Sequence, residues 1–286
     1  MKSYSVILAQ SAYWWLLPAS CVLGLIVGSF LNVVVARLPV MMQRGWQLAC
    51  AEVCDLPPPE HPRFNLAWPR SHCPACHHTL RWHELIPVLS WLWLRARCAH
   101  CNTRISPIYP LTELATAALF AGCVIRFGFS PTTLAAMALC AALLTLALID
   151  ARTMLLPDAI TQPLLWAGLL LSLTDYGFVT PFDAIVGASA GYAALWLLAT
   201  GFRLVAGKEG MGQGDWKLLA ALGAWFGWQA LPTIALAASV AGIVISVLMM
   251  LLRRMARDQP LPFGPYLAAA GLVILFWPAL TWPGPG

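Results

Sequence analysis

Long stretches without charge constrain this chain more than any other feature. No Asp, Glu, Lys or Arg lies between Lys2 and Arg37, Arg126 and Asp150, Asp158 and Asp175, Asp183 and Arg203, or Lys217 and Arg253, and none follows Asp258. An ionised side chain at the centre of a bilayer costs about 3 kcal/mol even on the lenient insertion scale, so each gap marks a segment able to enter one. Charged residues make up 10% of the 286-residue chain and apolar ones 60%, against about 25% charged in soluble domains. A soluble globule of this composition could not solvate its own surface. Disordered, collagen-like and disulfide-scaffold classes are excluded with it.

The gap from Lys217 to Arg253 is 35 residues long and is punctuated by Gly227, Trp228 and Pro232, which predicts two helices joined by a tight turn. A further span runs from Leu111 to Phe127, with Glu113 and Arg126 near its ends and able to snorkel to the polar interface. The expected fold is an all-α polytopic membrane protein of about eight transmembrane helices. They fall near 14–36, 111–127, 132–150, 159–174, 182–204, 216–230, 232–252 and 264–282. Placing loops 37–110, 151–158, 205–215 and 253–263 on one side gathers 15 of the 17 Lys and Arg there or at adjoining helix ends, leaving Lys2 and Arg126 opposite. By the positive-inside rule that side is the cytoplasm and both termini are periplasmic. Residues 6–30 could also be read as a signal peptide, with Ala19-Ser20-Cys21 as a lipoprotein-like site. Apolar sequence continuing to Ala36 favours a first transmembrane helix.

The predicted organisation is a first helix over 1–36, a small cytoplasmic domain over 37–110 and a seven-helix membrane core over 111–286. The insert holds all six histidines, six of the nine cysteines and eight Arg against four acidic residues. Within it, Cys73-Pro-Ala-Cys76 and Cys98-Ala-His-Cys101 form two C-x-x-C knuckles separated by 21 residues. Each knuckle presents two sulfurs from one turn, and two such pairs can close a tetrahedron around a single structural Zn²⁺. A reducing cytoplasm disfavours disulfides, and a redox motif would need no twin. Cys50 and Cys54 stay outside this set, and His72, His77, His78 and His100 are read as solvated neighbours. Between the knuckles, the run Leu85-Ile-Pro-Val-Leu-Ser-Trp-Leu-Trp-Leu94 is too short to span. It suits a membrane interface or a packed domain better than a phosphate-facing surface, and with a net charge of only +5 no nucleic-acid partner is expected.

Two carboxylates carry the chemistry. Asp150 ends an uncharged stretch of 23 residues, and Asp215 closes Gly210-Met-Gly212-Gln-Gly214-Asp215 just before a helix expected from about Trp216. Both lie at the cytoplasmic ends of predicted spans. Taken singly, Asp150 reads equally as an interfacial charge and Asp215 as an N-cap, but the glycines remove side chains beside Asp215 and let an extended backbone approach it. Two aspartates sharing a site hold one proton between them, so one activates water as general base and the other serves as general acid at a peptide carbonyl. No H-E-x-x-H pair or phosphate-binding loop competes. A transporter binding protons through intramembrane carboxylates, and a zinc module that only docks secretion proteins, are the readings from other classes.

In this setting the motifs resemble those of the bacterial type IV prepilin peptidases, or leader peptidase/N-methyltransferases, of the G-x-G-D class of intramembrane aspartyl proteases. The resemblance runs through Gly28-Ser-Phe-Leu-Asn-Val-Val-Val-Ala-Arg-Leu-Pro39, both cysteine knuckles, and Ile105-Ser-Pro-Ile-Tyr-Pro110. It continues through Asp150 with Leu155-Leu-Pro-Asp158, then Gly212-Gln-Gly-Asp215-Trp-Lys217, and Pro262-Phe-Gly-Pro265. It implies an endopeptidase of the bacterial inner membrane that clips a basic leader from prepilins or pseudopilins at the cytoplasmic face. In many members, methylation of the new amino terminus with S-adenosylmethionine follows. The catalytic roles fall on Asp150 and Asp215, the zinc ligands on Cys73, Cys76, Cys98 and Cys101, and a supporting role on Asp158. Two positions depart from the family pattern: Ala96 stands where a glycine is usual before the third knuckle cysteine, and Leu85 replaces the usual Asn before Ile-Pro. The departures bear on methyl transfer and not on the aspartates.

Overall fold

A computed structural model describes residues 2–59, 62–208, 211–252 and 261–280, with side chains from Trp15 onward. Its regular structure is all helical among these residues, without strands beyond two isolated bridges. The eight expected segments each become a helix: α1 (Lys2–Val53), α3 (Ile108–Phe127), α4 (Pro131–Thr153), α5 (Asp158–Ser172), α6 (Pro181–Ala206), α7 (Gln213–Phe226), α8 (Leu231–Leu251) and α9 (Gly264–Phe276). A short α2 (Leu89–Trp93) lies in the insert. Five of the described helices, α1, α3, α4, α6 and the segment containing α8, are long and apolar enough to cross a bilayer; α9 is apolar but shorter. At 15 and 14 residues, α5 and α7 rise only about 21–23 Å at 1.5 Å per residue, less than the hydrocarbon thickness. The last expected span reaches 282, and residues 281 and 282 lie outside the described ones.

The first helix does not stop at 36. Charge ends a span but not a helix: beyond Arg37 the backbone keeps its own hydrogen bonds as it leaves the apolar layer, and α1 runs on to Val53 through Pro39. Arg37 donates to the carbonyls of Asn65 and Leu66 (3.0 and 3.3 Å) and Arg44 to that of Pro62 (3.0 Å), with the Phe64 ring packed on both guanidiniums. The returning loop thereby lines the charged extension.

The chain forms two compact units, divided between Phe129 and Ser130. The helix over 111–127 lies in the first unit, with α1 and the insert. In this first unit α3 packs on α1 through Gly24 and Gly28, where an added Cβ would lie 2.5 Å from Ala117 Cα and 2.7 Å from Glu113 Cα. Small residues allow this backbone approach, the usual means of joining helices in lipid. Glu113 does not snorkel. It is buried and accepts the Val88 N–H at 2.7 Å, because α1 covers the side of α3 that would have led it to water.

In the second unit α7 is the centre. Leu218, Leu219, Leu222 and Ala224 are fully buried among α5, α6 and α9. The α6–α7 crossing rests on glycine against glycine: a Cβ on Gly187 or Gly223 would strike the other's backbone. Trp225 Nε1 donates to the Leu164 carbonyl of α5 at 2.8 Å while its indole covers Gly168. A hydrogen bond made away from water holds the end of α7, just as a buried indole requires.

Candidate active site and metal centre

Asp150 lies on the last turns of α4, whose helix continues to Thr153 before Met154 ends it in the left-handed region. It is therefore a helical side chain turned inward, not an interfacial charge, and it is buried. Its Oδ2 accepts the backbone N–H of Gly264 at 2.9 Å. Gly264 is the first residue of α9, where amides are unpaired by the helix itself, so the carboxylate satisfies one of them and meets the positive end of the helix dipole.

Asp215 is the third residue of α7, which begins at Gln213 rather than at Trp216. The N-cap reading fails for that reason: Gly212 takes the cap position, and the Asp215 side chain is carried inward by the first helical turn and buried. Its Oδ1 has no hydrogen-bond partner among the described residues, and the charge of Asp150 acts on it directly. The two carboxylates that sequence singled out are thus brought into one site by α4 and α7, with α9 closing on Asp150.

The flanking glycines act by packing rather than by extended backbone. A Cβ on Gly214 would lie 2.6 Å from Leu156 Cβ, and one on Gly264 would lie 3.1 Å from Leu156 Cδ2 and 2.7 Å from Asp150 Oδ2. Leu156, in the loop between α4 and α5, therefore fits between the two glycines that border the two aspartates. Gly212 leaves ordinary contact distance, 3.7 Å, to Asp215 Oδ2, and Gly210 lies outside the described residues. Asp158, the first residue of α5, receives Lys217 Nζ on both oxygens at 2.7 and 2.8 Å. Lys217 follows Asp215 by two residues, so the ion pair ties the start of α7 to the start of α5. Sequence reasoning assigned no role to Gly264 or Leu156. A glycine before a proline at an expected helix start was the available signal for the first; nothing local marked the second.

The four knuckle sulfurs, Cys73, Cys76, Cys98 and Cys101, lie within 4.8 Å of one another, with Cys73 and Cys101 at 3.8 Å. None of the nine cysteines is in a disulfide. Four thiolates 2.3 Å from a common Zn²⁺ would stand about 3.8 Å apart, so the spacing suits such an ion. The knuckles are built alike. In each the first cysteine's N–H donates to a carbonyl five residues on (Cys73 to His78, Cys98 to Thr103, both 2.9 Å), and the residue after the second cysteine (His77, Asn102) takes a left-handed φ. Antiparallel bridges His72–Thr79 and Arg97–Arg104 close the two turns.

The donor electrostatics also suit a cation. Hydrogen bonding from Thr103, through its side chain and its backbone, holds the Cys101 thiol down to about 6, and backbone amides of Cys76 and Ala75 lower Cys73. Cys76, in spite of a His78 amide that lowers it, is pushed up to about 11 by burial and by the neighbouring sulfurs. Four crowded sulfurs cannot all lose their protons without a positive charge among them. His78 stacks on His100 across the two knuckles at 4.2 Å between ring centroids, and neither joins the sulfur set. Cys50 and Cys54 are exposed around the end of α1, outside it.

Comparison with known proteins covers both units. Residues 22–127 match the bacterial peptidase A24 N-terminal domain, and residues 137–247 match the type IV leader peptidase family. The chain is 52% identical over 264 residues to a prepilin leader peptidase/N-methyltransferase of Burkholderia pseudomallei, covering 91% of this chain and 85% of that one. It is 49% identical over 275 residues to the protein of that name in Aeromonas salmonicida, 94% of each chain. With its counterpart in Pseudomonas putida it shares 47% over 278 residues, 97% and 95% of the two chains. No solved structure gives a significant match.

Proposed function

The chain belongs to the type IV leader peptidase family, and from that premise we propose that Asp150 and Asp215 are the catalytic pair with which it cleaves prepilins. It is a membrane-embedded prepilin peptidase whose family couples cleavage to N-methylation. The observation that carries the assignment is a difference between the two buried carboxylates: Asp150 is held by the Gly264 amide, while Asp215 keeps an oxygen without a partner and feels the charge of Asp150.

Two carboxylates so placed share one proton. The ionised member takes a proton from a water molecule as its oxygen attacks the scissile carbonyl, and the protonated member gives its proton to the carbonyl oxygen. Collapse of the tetrahedral species breaks the C–N bond, the leaving amine takes up a proton, and the pair returns to its single-proton state. No covalent enzyme intermediate is needed. Substrate choice follows from geometry: an apolar prepilin helix enters the bilayer among the enzyme's helices, and a basic leader left in the cytoplasm presents its scissile bond at the depth of the aspartates. The cytoplasmic placement of this site and the periplasmic placement of the termini rest on the distribution of Lys and Arg.

The four cysteines would hold a structural Zn²⁺, which when bound neutralises the thiolates and fixes the two knuckles together. For the methyl donor, S-adenosylmethionine, the described residues contain no strand and glycine turn leading into a helix that would cradle a nucleotide, so no residue is assigned to it. Asp150→Asn and Asp215→Asn test the proposal. Each is expected to abolish leader removal from a purified prepilin while metal content and membrane insertion persist, and wild-type-like cleavage by either variant overturns the pair. The mass of the pilin released by wild-type enzyme with S-adenosylmethionine reads methylation separately, as one added methyl.

A further inference from the structure

The apolar run between the knuckles has no place in the reaction above, and its arrangement is specific. It folds as a 3-10 turn over Trp82–Leu85 followed by α2. Trp91 faces inward, donating Nε1 to the Ile105 carbonyl at 3.3 Å. Leu89, Leu92 and Trp93 face outward with Trp82, and both tryptophans are 80% exposed. The orientation is enforced. Val88, at the start of α2, adopts φ 58° and ψ −48°, a conformation that a β-branched residue takes only under constraint. The buried Glu113 supplies the constraint by accepting the Val88 N–H from the second turn of α3, a described span. A carboxylate that sequence placed at the interface is spent on turning an apolar surface outward.

We propose that Trp82, Leu89, Leu92 and Trp93 form a surface that seats the metal-bearing segment in the headgroup and acyl boundary of the lipid bilayer. The occupant is argued from continuity. The element that clasps Val88 exposes Ile108, Leu111 and Leu114 over its first two turns, a surface that a spanning helix turns to lipid, and the Val88 clasp sets α2 beside it. Arg81, Arg95 and Arg97, all exposed, border the patch with cations suited to anionic headgroups. Tryptophan is the side chain most at home at that depth. In water the same patch would be an aggregation hazard. The proposal does not depend on the peptidase reading.

The test places a benzophenone-bearing amino acid at position 82, 91 or 93 of the full-length protein in vesicles of phosphatidylethanolamine and phosphatidylglycerol. After irradiation the adducts are weighed on the recovered peptides. Position 236 on α8, exposed along a described span, serves as the lipid-facing control. Phospholipid adducts are expected at 82, 93 and 236, and at least several-fold fewer at 91, with or without added prepilin. Adducts at 82 and 93 to the enzyme's own chain or to prepilin, or no adduct there while 236 labels, would overturn the proposal. Independently, Leu89→Glu with Leu92→Glu should leave metal content unchanged and speed tryptic cleavage at Arg95 and Arg97 in vesicles several-fold; an unchanged rate also rejects it.

Discussion

The amide of Gly264 donates to Oδ2 of Asp150 across 114 residues of chain, at 2.9 Å. This bond joins α9 to α4 at the buried carboxylate whose charge acts on Asp215. It makes Asp150 the anchored member of the pair and leaves Asp215 the freer one.

Gly264→Ala is expected to slow leader removal by about 100-fold, the usual cost of misplacing a reacting group by about 1 Å. The added Cβ would lie 2.7 Å from Asp150 Oδ2 and cannot be accommodated without moving the carboxylate. KM for prepilin should change little, because the role proposed for Asp150 is in the chemical step rather than in holding the substrate's apolar helix. Steady-state kinetics with purified prepilin reads the split between kcat and KM; a pure KM effect refutes the positioning role.

Reversing either charge of the Asp158–Lys217 pair should slow cleavage, and reversing both together should restore most of it. Asp158 is more than half exposed, so solvent screening limits the pair's contribution to stability to about 0.2–1 kcal/mol. Its value is positional: it holds the first turn of α7, which carries Asp215. A double-mutant cycle on cleavage rate measures the coupling, and strictly additive effects count against it.

Gly223→Leu should prevent stable assembly of the second unit, because a Cβ there already collides with the backbone of Gly187. Gly201→Ala, where nothing lies within 4 Å of the new methyl, should instead stabilise α6 by up to about 1 kcal/mol. Thermal inactivation in detergent separates the two, and equal effects mean that the α6–α7 crossing is not close-packed.

Purified enzyme should carry one Zn²⁺ per chain, with Cys73→Ser or a strong chelator removing it and exposing residues 71–105 to protease. Thiolates must be free of protons to bind. Protons compete with the metal for the sulfurs, so metal retention should decline as the pH falls. Metal analysis across pH checks both the stoichiometry and the sign; retention that rises with acidity rejects a thiolate site.

Residue order alone made much of this protein legible. Absent charge located the helices, because a bilayer penalises each ion wherever the rest of the chain lies, and the twin knuckles declared a cluster of four sulfurs able to hold a metal because each C-x-x-C is complete within one turn. The family motifs pointed to Asp150 and Asp215. What it misjudged were matters of partner and length. Glu113 read as a snorkelling residue because its clasp on Val88 spans 25 residues, and α1 read as ending at 36 because charge was taken to end a helix as well as a span.

Only the tertiary structure decided how the two aspartates differ. The sequence offered two carboxylates at the ends of apolar stretches, told apart only by the glycines before Asp215. Their difference arises from an amide 114 residues away, from Leu156 fitting between Gly214 and Gly264, and from helix crossings in which glycine admits no larger neighbour. Local chemistry and solvent choose the elements. Contacts between distant segments, invisible until the backbone closes on itself, determine which oxygen is held and which, among the described residues, is left without a partner.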